Sequence, residues 1–318
     1  MKLINDVRWG TMKNKRQLRF QVKIAVSVIL VMVLVMTSYY AVSHAFERKD
    51  TAYSSLQLEV EEKATKDALL KQINQDGIPV LAYHGVTSVE TKAGRYSNSE
   101  LWIDDVQFDS HMKALHDAGY VSVTLDQFYE WYVNGQPINP KSVLITFDDG
   151  MKDVITYAGP ILKKYNYTAV SFNIGSWVKT GESAFISLAD MEASLDTFEH
   201  GNHSFDFHRI VQLNQGGYSR ITVMNDADLM KDFELANQYA LKPHQYFAYP
   251  FGSFNASVID ALIKNNYRLA FTFSAPVAGH VNARPQDGQW TVRRLPVYTS
   301  NSAEELISLI TPKTETPS

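Results

Sequence analysis

The chain opens with one long apolar run and then changes its period twice. From Ile24 to Phe46 no Asp, Glu, Lys or Arg occurs, and the centre reads VSVILVMVLVM. A helix rises about 1.5 Å per residue, so the run suffices to cross a hydrocarbon core of roughly 30 Å. Lys2, Arg8, Lys13, Lys15, Arg16, Arg19 and Lys23 precede it against Asp6 alone. By the positive-inside rule that asymmetry puts residues 1–23 in the cytoplasm and the body of the protein outside. A cleaved signal peptide, with Ser43 and Ala45 at the cleavage site, is the competing reading. The run is longer than a usual signal core, which favours an uncleaved anchor over residues 24–46. Residues 47–77 then read as a charged stalk helix, with Leu56, Val60, Ala64 and Ala68 at four-residue spacing and a stop near Gly77.

From Ile78 onward short β-rich runs alternate with helical stretches. The runs are Pro79–His84, Val121–Leu125, Ser142–Phe147, Thr168–Ile174, Thr197–His203, Gln245–Pro250, Arg268–Phe273 and Val292–Val297. Helical spacing recurs at Asp105–Ala118, with Gly119 as a stop, at Asp226–Ala240 and at Asn255–Asn265. Strands apolar on both faces and separated by helices are parallel strands covered by helices. Seven or eight such units predict a distorted (β/α) barrel over residues 78–310, followed by a polar tail over residues 311–318. No GxGxxG follows the first strand, which weighs against dinucleotide binding.

Composition narrows the field further. At 45% hydrophobic residues the chain builds a core, and a formal net charge of −4 gives no footing for phosphate neutralisation, so no nucleic-acid partner is expected. There is no cysteine. Disulfide scaffolds, thiolate metal sites and thiol nucleophiles are thereby excluded.

The polar residues fall at informative places on the strand pattern. His84 ends the first strand, Asp148 and Asp149 end SVLITF, His203 ends TFEHGNH, and Tyr249-Pro250-Phe251-Gly252 follows QYFA. In a parallel barrel the C-terminal strand ends share one face, where catalytic groups sit. With His208 on the next loop, His203 and the Asp148-Asp149 pair offer a candidate His-His-Asp set for a divalent metal that keeps a coordination position open. Each piece alone has a plainer reading: Asp-Asp-Gly as a turn or helix cap, His203 and His208 as loop residues, His84 as a packed strand-end imidazole. His44, His111, His116, His200, His244 and His280 are read as surface, loop or core residues, with His200 closest to the candidates.

TFDDG at Thr146–Gly150, NHSFDFH at Asn202–His208 and YPFG at Tyr249–Gly252 resemble successive motifs of the polysaccharide deacetylases, carbohydrate esterase family 4. AYHGV at Ala82–Val86 and the five-residue step from His203 to His208 are similar to the branch acting on poly-β-1,6-N-acetylglucosamine. The resemblance implies Asp148 as general base and Asp149, His203 and His208 as ligands of one divalent metal, zinc first, with nickel or cobalt as alternatives. It implies Tyr249, Pro250, Phe251 and Gly252 along the groove, with the Phe251 N–H facing the oxyanion.

The chain departs from the family pattern in three places. Ala248 stands where an Arg often precedes the third motif, leaving Arg293 or Arg294 as substitutes for orienting the base. FTFSAP at Phe271–Pro276 replaces the fourth motif, and the late histidine motif is missing, so His84 becomes the general acid. The expected activity is a membrane-anchored, extracellular N-deacetylase acting on N-acetylglucosamine residues of a polysaccharide. Peptidoglycan or wall-polymer linkage sugars are the alternative substrates. A glycoside hydrolase or an inactive glycan-binding barrel are the rivals; the former needs two facing carboxyls, and the latter has no use for a base.

Overall fold

The computed structural model describes residues 2–213, 216–241, 245–273 and 281–312. His244, His280, the Ser274–Pro276 end of FTFSAP and the tail from residue 313 lie outside the described residues. The chain divides into two compact units, Met1–Ala68 and Leu69–Ser318.

The described residues of the first unit are helical, part of a helix over Lys2–Asp76. Within it Val22–Ala45 has a mean hydropathy of 2.2 and is long and apolar enough to cross a membrane. The second unit begins before the boundary at Ile78 expected from sequence, because the last turns of that helix are part of its core. Ile73 is buried and Asn74 Oδ1 accepts from Trp131 Nε1–H at 2.9 Å. Gly77 ends the helix at φ +73°, where an added Cβ would lie 2.5 Å from the Ala283 carbonyl oxygen. Only glycine fits that turn.

Among the described residues, twelve strands follow in the second unit. They are β1 (Val80–Tyr83), β2 (Gly85–Thr87), β3 (Trp102–Asp104), β4 (Val121–Ser122), β5 (Ser142–Phe147) and β6 (Ala169–Asn173). Then come β7 (Phe198–Asn202), β8 (Ile210–Leu213), β9 (Gly216–Ser219), β10 (Tyr246–Ala248), β11 (Leu269–Phe271) and β12 (Leu295–Pro296). The main sheet runs β11-β10-β7-β6-β5-β1-β12, with β4 beside β5, and all its pairings are parallel. Its edges are joined by one segment: Val292 bridges Phe271 in parallel, while Leu295 and Pro296 pair with Leu81 and Ala82. The result is the distorted barrel predicted from the sequence, a curled parallel half-barrel of seven strands with β4 as an eighth alongside.

Alternation along the strands builds two cores. Leu81, Tyr83, Val143, Ile145 and Phe147 pack against Phe108, Met112 and Leu115 of the helix Asp105–Asp117. Val80, Leu144, Val170, Phe172, Ala248 and Phe271 pack with Phe128 and Trp131. Both strand faces are therefore apolar, as the continuous hydrophobic runs imply.

Several strands are shorter than the expected runs, β4 and β12 the most at two residues each. The run Val121–Leu125 stops pairing at Ser122, because Thr124 caps a helix over Leu125–Tyr132. The Thr124 hydroxyl accepts from Gln127 N–H, and the Gln127 side chain accepts from Thr124 N–H. This reciprocal cap outweighs the β propensity of the run.

Candidate metal centre and active site

The loops after β1, β5, β7 and β10 place their polar residues at one end of the sheet. Asp148 N–H donates to Tyr83 O, and His203 N–H donates to Asn173 O, so ladder bonds hold both residues at strand ends. Asp149 then turns at φ +76° and Gly150 at +83°. A Cβ on Gly150 would lie 2.7 Å from Asn173 Oδ1, which explains the glycine there. A carboxylate-bearing residue held in the left-handed region is a local cost that usually accompanies function.

Asp149, His203 and His208 come together, each offering one ligand atom within 4.8 Å of the others. Asp149 Oδ1 lies 3.7 Å from His203 Nε2 and 3.3 Å from His208 Nε2. His203 Nδ1–H donates to the Ala248 carbonyl at 2.8 Å, which leaves the Nε2 lone pair facing the cluster. Burial pushes His203 down to about 3 and lowers His208 as well, so both rings are neutral near pH 7. Asp149 Oδ1 is buried with no hydrogen-bond partner among the described residues. Burial first, and then the neighbouring Asp148, push its carboxyl up to about 6 against the opposing pull of His84. Two nitrogen lone pairs and a carboxylate oxygen this close, with no proton among them, are mutually repulsive unless a cation joins them. The residues fit a divalent metal.

Asp148 is held differently. It is buried beneath the cluster, and Arg294 grips both of its oxygens, Nη1–H to Oδ1 at 2.6 Å and Nη2–H to Oδ2 at 2.7 Å. The same guanidinium donates through Nε–H to Thr272 O and through Nη1–H to Thr146 Oγ1. Burial alone would raise Asp148, but Arg294, with His203 and His84, holds it well below the usual carboxylate range. Of the two arginines weighed from sequence, Arg294 takes the orienting position; Arg293 turns instead toward Asp287.

His84 follows β1 and is half-buried, its ring edge-on to Phe273 at 5.2 Å. His84 Nδ1 is buried without a partner among the described residues. Of the four expected groove residues, Tyr249 and Pro250 are buried, and Tyr249 O–H donates to the Trp290 carbonyl. Phe251 is 42% exposed at φ +58°, with its ring 4.4 Å from that of His208. Gly252 cannot carry a side chain: its Cβ would sit 2.6 Å from Phe273 backbone atoms. Phe251 is therefore the exposed side chain of that motif, beside the Asp149–His203–His208 cluster.

His200 stays outside the cluster. It is buried, with Nδ1 near Asn173 Nδ2 and Nε2 near Ser194 Oγ, a structural role as read from the sequence. His111 likewise bonds Tyr83 O–H and Asn301 O inside the core. Trp177 stacks on Phe185 at 4.6 Å and lies 6.3 Å from the His208 ring; a residue that sequence reasoning missed is Asp232, behind the His203–His208 loop.

Residues 135–270 match the family profile of the polysaccharide deacetylases. A Bacillus subtilis (strain 168) relative assigned to polysaccharide deacetylases is 29% identical over 230 residues, 71% of this chain and 75% of its own. A poly-β-1,6-N-acetyl-D-glucosamine N-deacetylase of Staphylococcus epidermidis is 26% identical over 249 residues, 76% of this chain and 82% of its own. A solved deacetylase of Streptococcus pyogenes, in complex with acetate, superimposes at a TM-score of 0.61 and 23% identity. That likeness spans 74% of this chain and 99% of the other, and it speaks for the fold.

Proposed function

We propose, from the premise that this chain carries a polysaccharide deacetylase domain and is a hydrolase of N-acetyl amide bonds, that it removes acetyl groups from N-acetylglucosamine residues of an extracellular polysaccharide. The observation that carries the reading is the convergence of Asp149, His203 and His208 beside the Arg294-paired Asp148. A poly-β-1,6-N-acetylglucosamine polymer is the favoured substrate, supported by the name of the Staphylococcus epidermidis relative.

Asp149 Oδ1, His203 Nε2 and His208 Nε2 would hold one divalent ion, a donor set that suits zinc and also nickel or cobalt. When bound, such an ion polarises the acetamido carbonyl and acidifies an attacking water. Asp148, kept ionised by Arg294, takes up the proton of that water. The Phe251 N–H faces the carbonyl oxygen, and the Phe251 ring walls the acetyl end beside His208. His84 hands a proton to the departing amine, so acetate and a free amino group leave.

His203→Ala and His208→Ala are each expected to weaken metal binding by more than the roughly 10–100-fold that outer-shell partners contribute. Elemental analysis showing full occupancy in both variants would overturn the ligand set. Acetate release, measured side by side on β-1,6-N-acetylglucosamine oligomers and on peptidoglycan with metal-loaded protein, tests the substrate. Release from peptidoglycan alone would replace the favoured polymer; release from neither would sink the deacetylase reading.

The Val22–Ala45 helix supports membrane anchoring with the catalytic unit outside. A chain starting at Glu47 is expected to leave the membrane fraction and keep full acetate-release activity. Persistence in the membrane fraction, or inactivity of the folded truncated protein, would count against a separate anchor.

A further inference from the structure

Between the two histidine ligands lie Ser204, Phe205, Asp206 and Phe207, a stretch without regular structure. For His208 to return to Asp149, this loop must fold back on itself. Four sets of contacts hold the return. Ser204 sits at φ +65°. Its carbonyl and that of Phe205 accept from the N–H groups of Gly175 and Ser176, both at 2.9 Å. The Ser204 hydroxyl accepts from Phe207 N–H at 3.1 Å, and Phe207 itself is buried in a core cluster.

The fourth contact comes from a distant helix, Asp226–Gln238. Asp232, only 5% exposed, receives Phe205 N–H on Oδ2 and Asp206 N–H on Oδ1, each at 2.8 Å. Arg209 and Arg220 are instead spent on the Asp206 carboxylate. A buried carboxylate is costly to keep, and this one uses both oxygens on two successive amides of one loop. Such use matches a clamp on backbone conformation better than charge pairing.

Resting on the metal-site reading above, we propose that Asp232, seconded by the Ser204 hydroxyl, is a positioning residue of that site. It fixes the loop Ser204–Phe207 so that His208 Nε2 meets Asp149 and His203. In Asp232→Asn the amide can accept one of the two N–H groups, while its NH2 opposes the other. The loop loses half its clamp and His208 loses its register, although no ligand has been changed.

The test uses the full chain in detergent, with zinc affinity from chelator competition and the absorption spectrum of the cobalt(II)-loaded protein. Asp232→Asn is expected to weaken zinc about 10–100-fold and to alter the cobalt ligand-field bands, with Ser204→Ala shifting both less and in the same direction. His208→Ala separates the two layers of the reading. If it binds zinc like the wild type, the metal-site assignment falls and the clamp with it. If it weakens zinc while folded Asp232→Asn and Ser204→Ala keep wild-type affinity and spectra, only the positioning role falls. Should Asp232→Asn fail to fold, Ser204→Ala decides: weaker zinc with an altered spectrum supports the clamp, and wild-type values overturn it.

Discussion

Asp148→Asn is expected to retain the metal and lose turnover by on the order of 10²–10⁴-fold. The substitution is nearly isosteric, and Asp148 is not among the three residues whose ligand atoms converge. What disappears is a group able to take a proton. Arg294 keeps Asp148 ionised, so the base form is present throughout the neutral range and activity should show no titration of this residue there. The same pairing gives the variant a second signature. Its folded carboxyl lies below the ordinary value of about 3.9, so the pair stabilises the fold above that pH and is lost only as pH falls further. An amide facing the buried Arg294 leaves a guanidinium uncompensated, at a cost of roughly 3–5 kcal/mol. The thermal midpoint should therefore fall while metal content does not. Loss of metal from a folded Asp148→Asn protein would make Asp148 a ligand rather than a base.

How much of this could be read in advance depends on the distance over which each signal acts. The strand Ser142–Phe147 was legible because six consecutive buried positions can hardly be anything but a doubly covered strand. The helix stops at Gly77 and Gly119 were legible because positive φ leaves a local trace in residue type. The shortened β4 was legible in principle: Thr-x-x-Gln at Thr124–Gln127 is a capping box, overshadowed by the β-branched residues before it. The convergence of Asp149 and His203 was legible from the strand ends, since parallel topology alone brings these to one face. Arg294 was different. It lies 146 residues from Asp148, and nothing local distinguishes it from Arg293; the choice is made when Val292 bridges Phe271 and turns one arginine inward. Asp232 was invisible for a similar reason, being one of several acids on an amphipathic helix until the loop from β7 docks against it.

His84 carries the other large effect. His84→Gln and His84→Ala are expected to fold, to bind metal, and to hydrolyse the acetamide on the order of 10²–10⁴-fold more slowly. β1 lies between β5 and β12, which brings His84 to the end of the sheet that holds Asp148 and the Asp149–His203–His208 cluster. An amine leaves poorly as an anion, so some group there must deliver a proton, and imidazole is the side chain suited to do so near neutrality. Its surroundings argue against a purely packed residue. A buried Nδ1 with no partner among the described residues is a cost that a packing role gives no reason to keep. Phe273 meets the ring edge-on, fixing its plane without taking up a hydrogen bond. The leaving group provides the sharper discrimination. An aryl acetate departs without needing a proton, so His84→Gln should lose far less activity on it than on the acetamide. Equal losses on both substrates would assign His84 to substrate binding or to the attacking step, and wild-type turnover on both would leave it only a place in the packing.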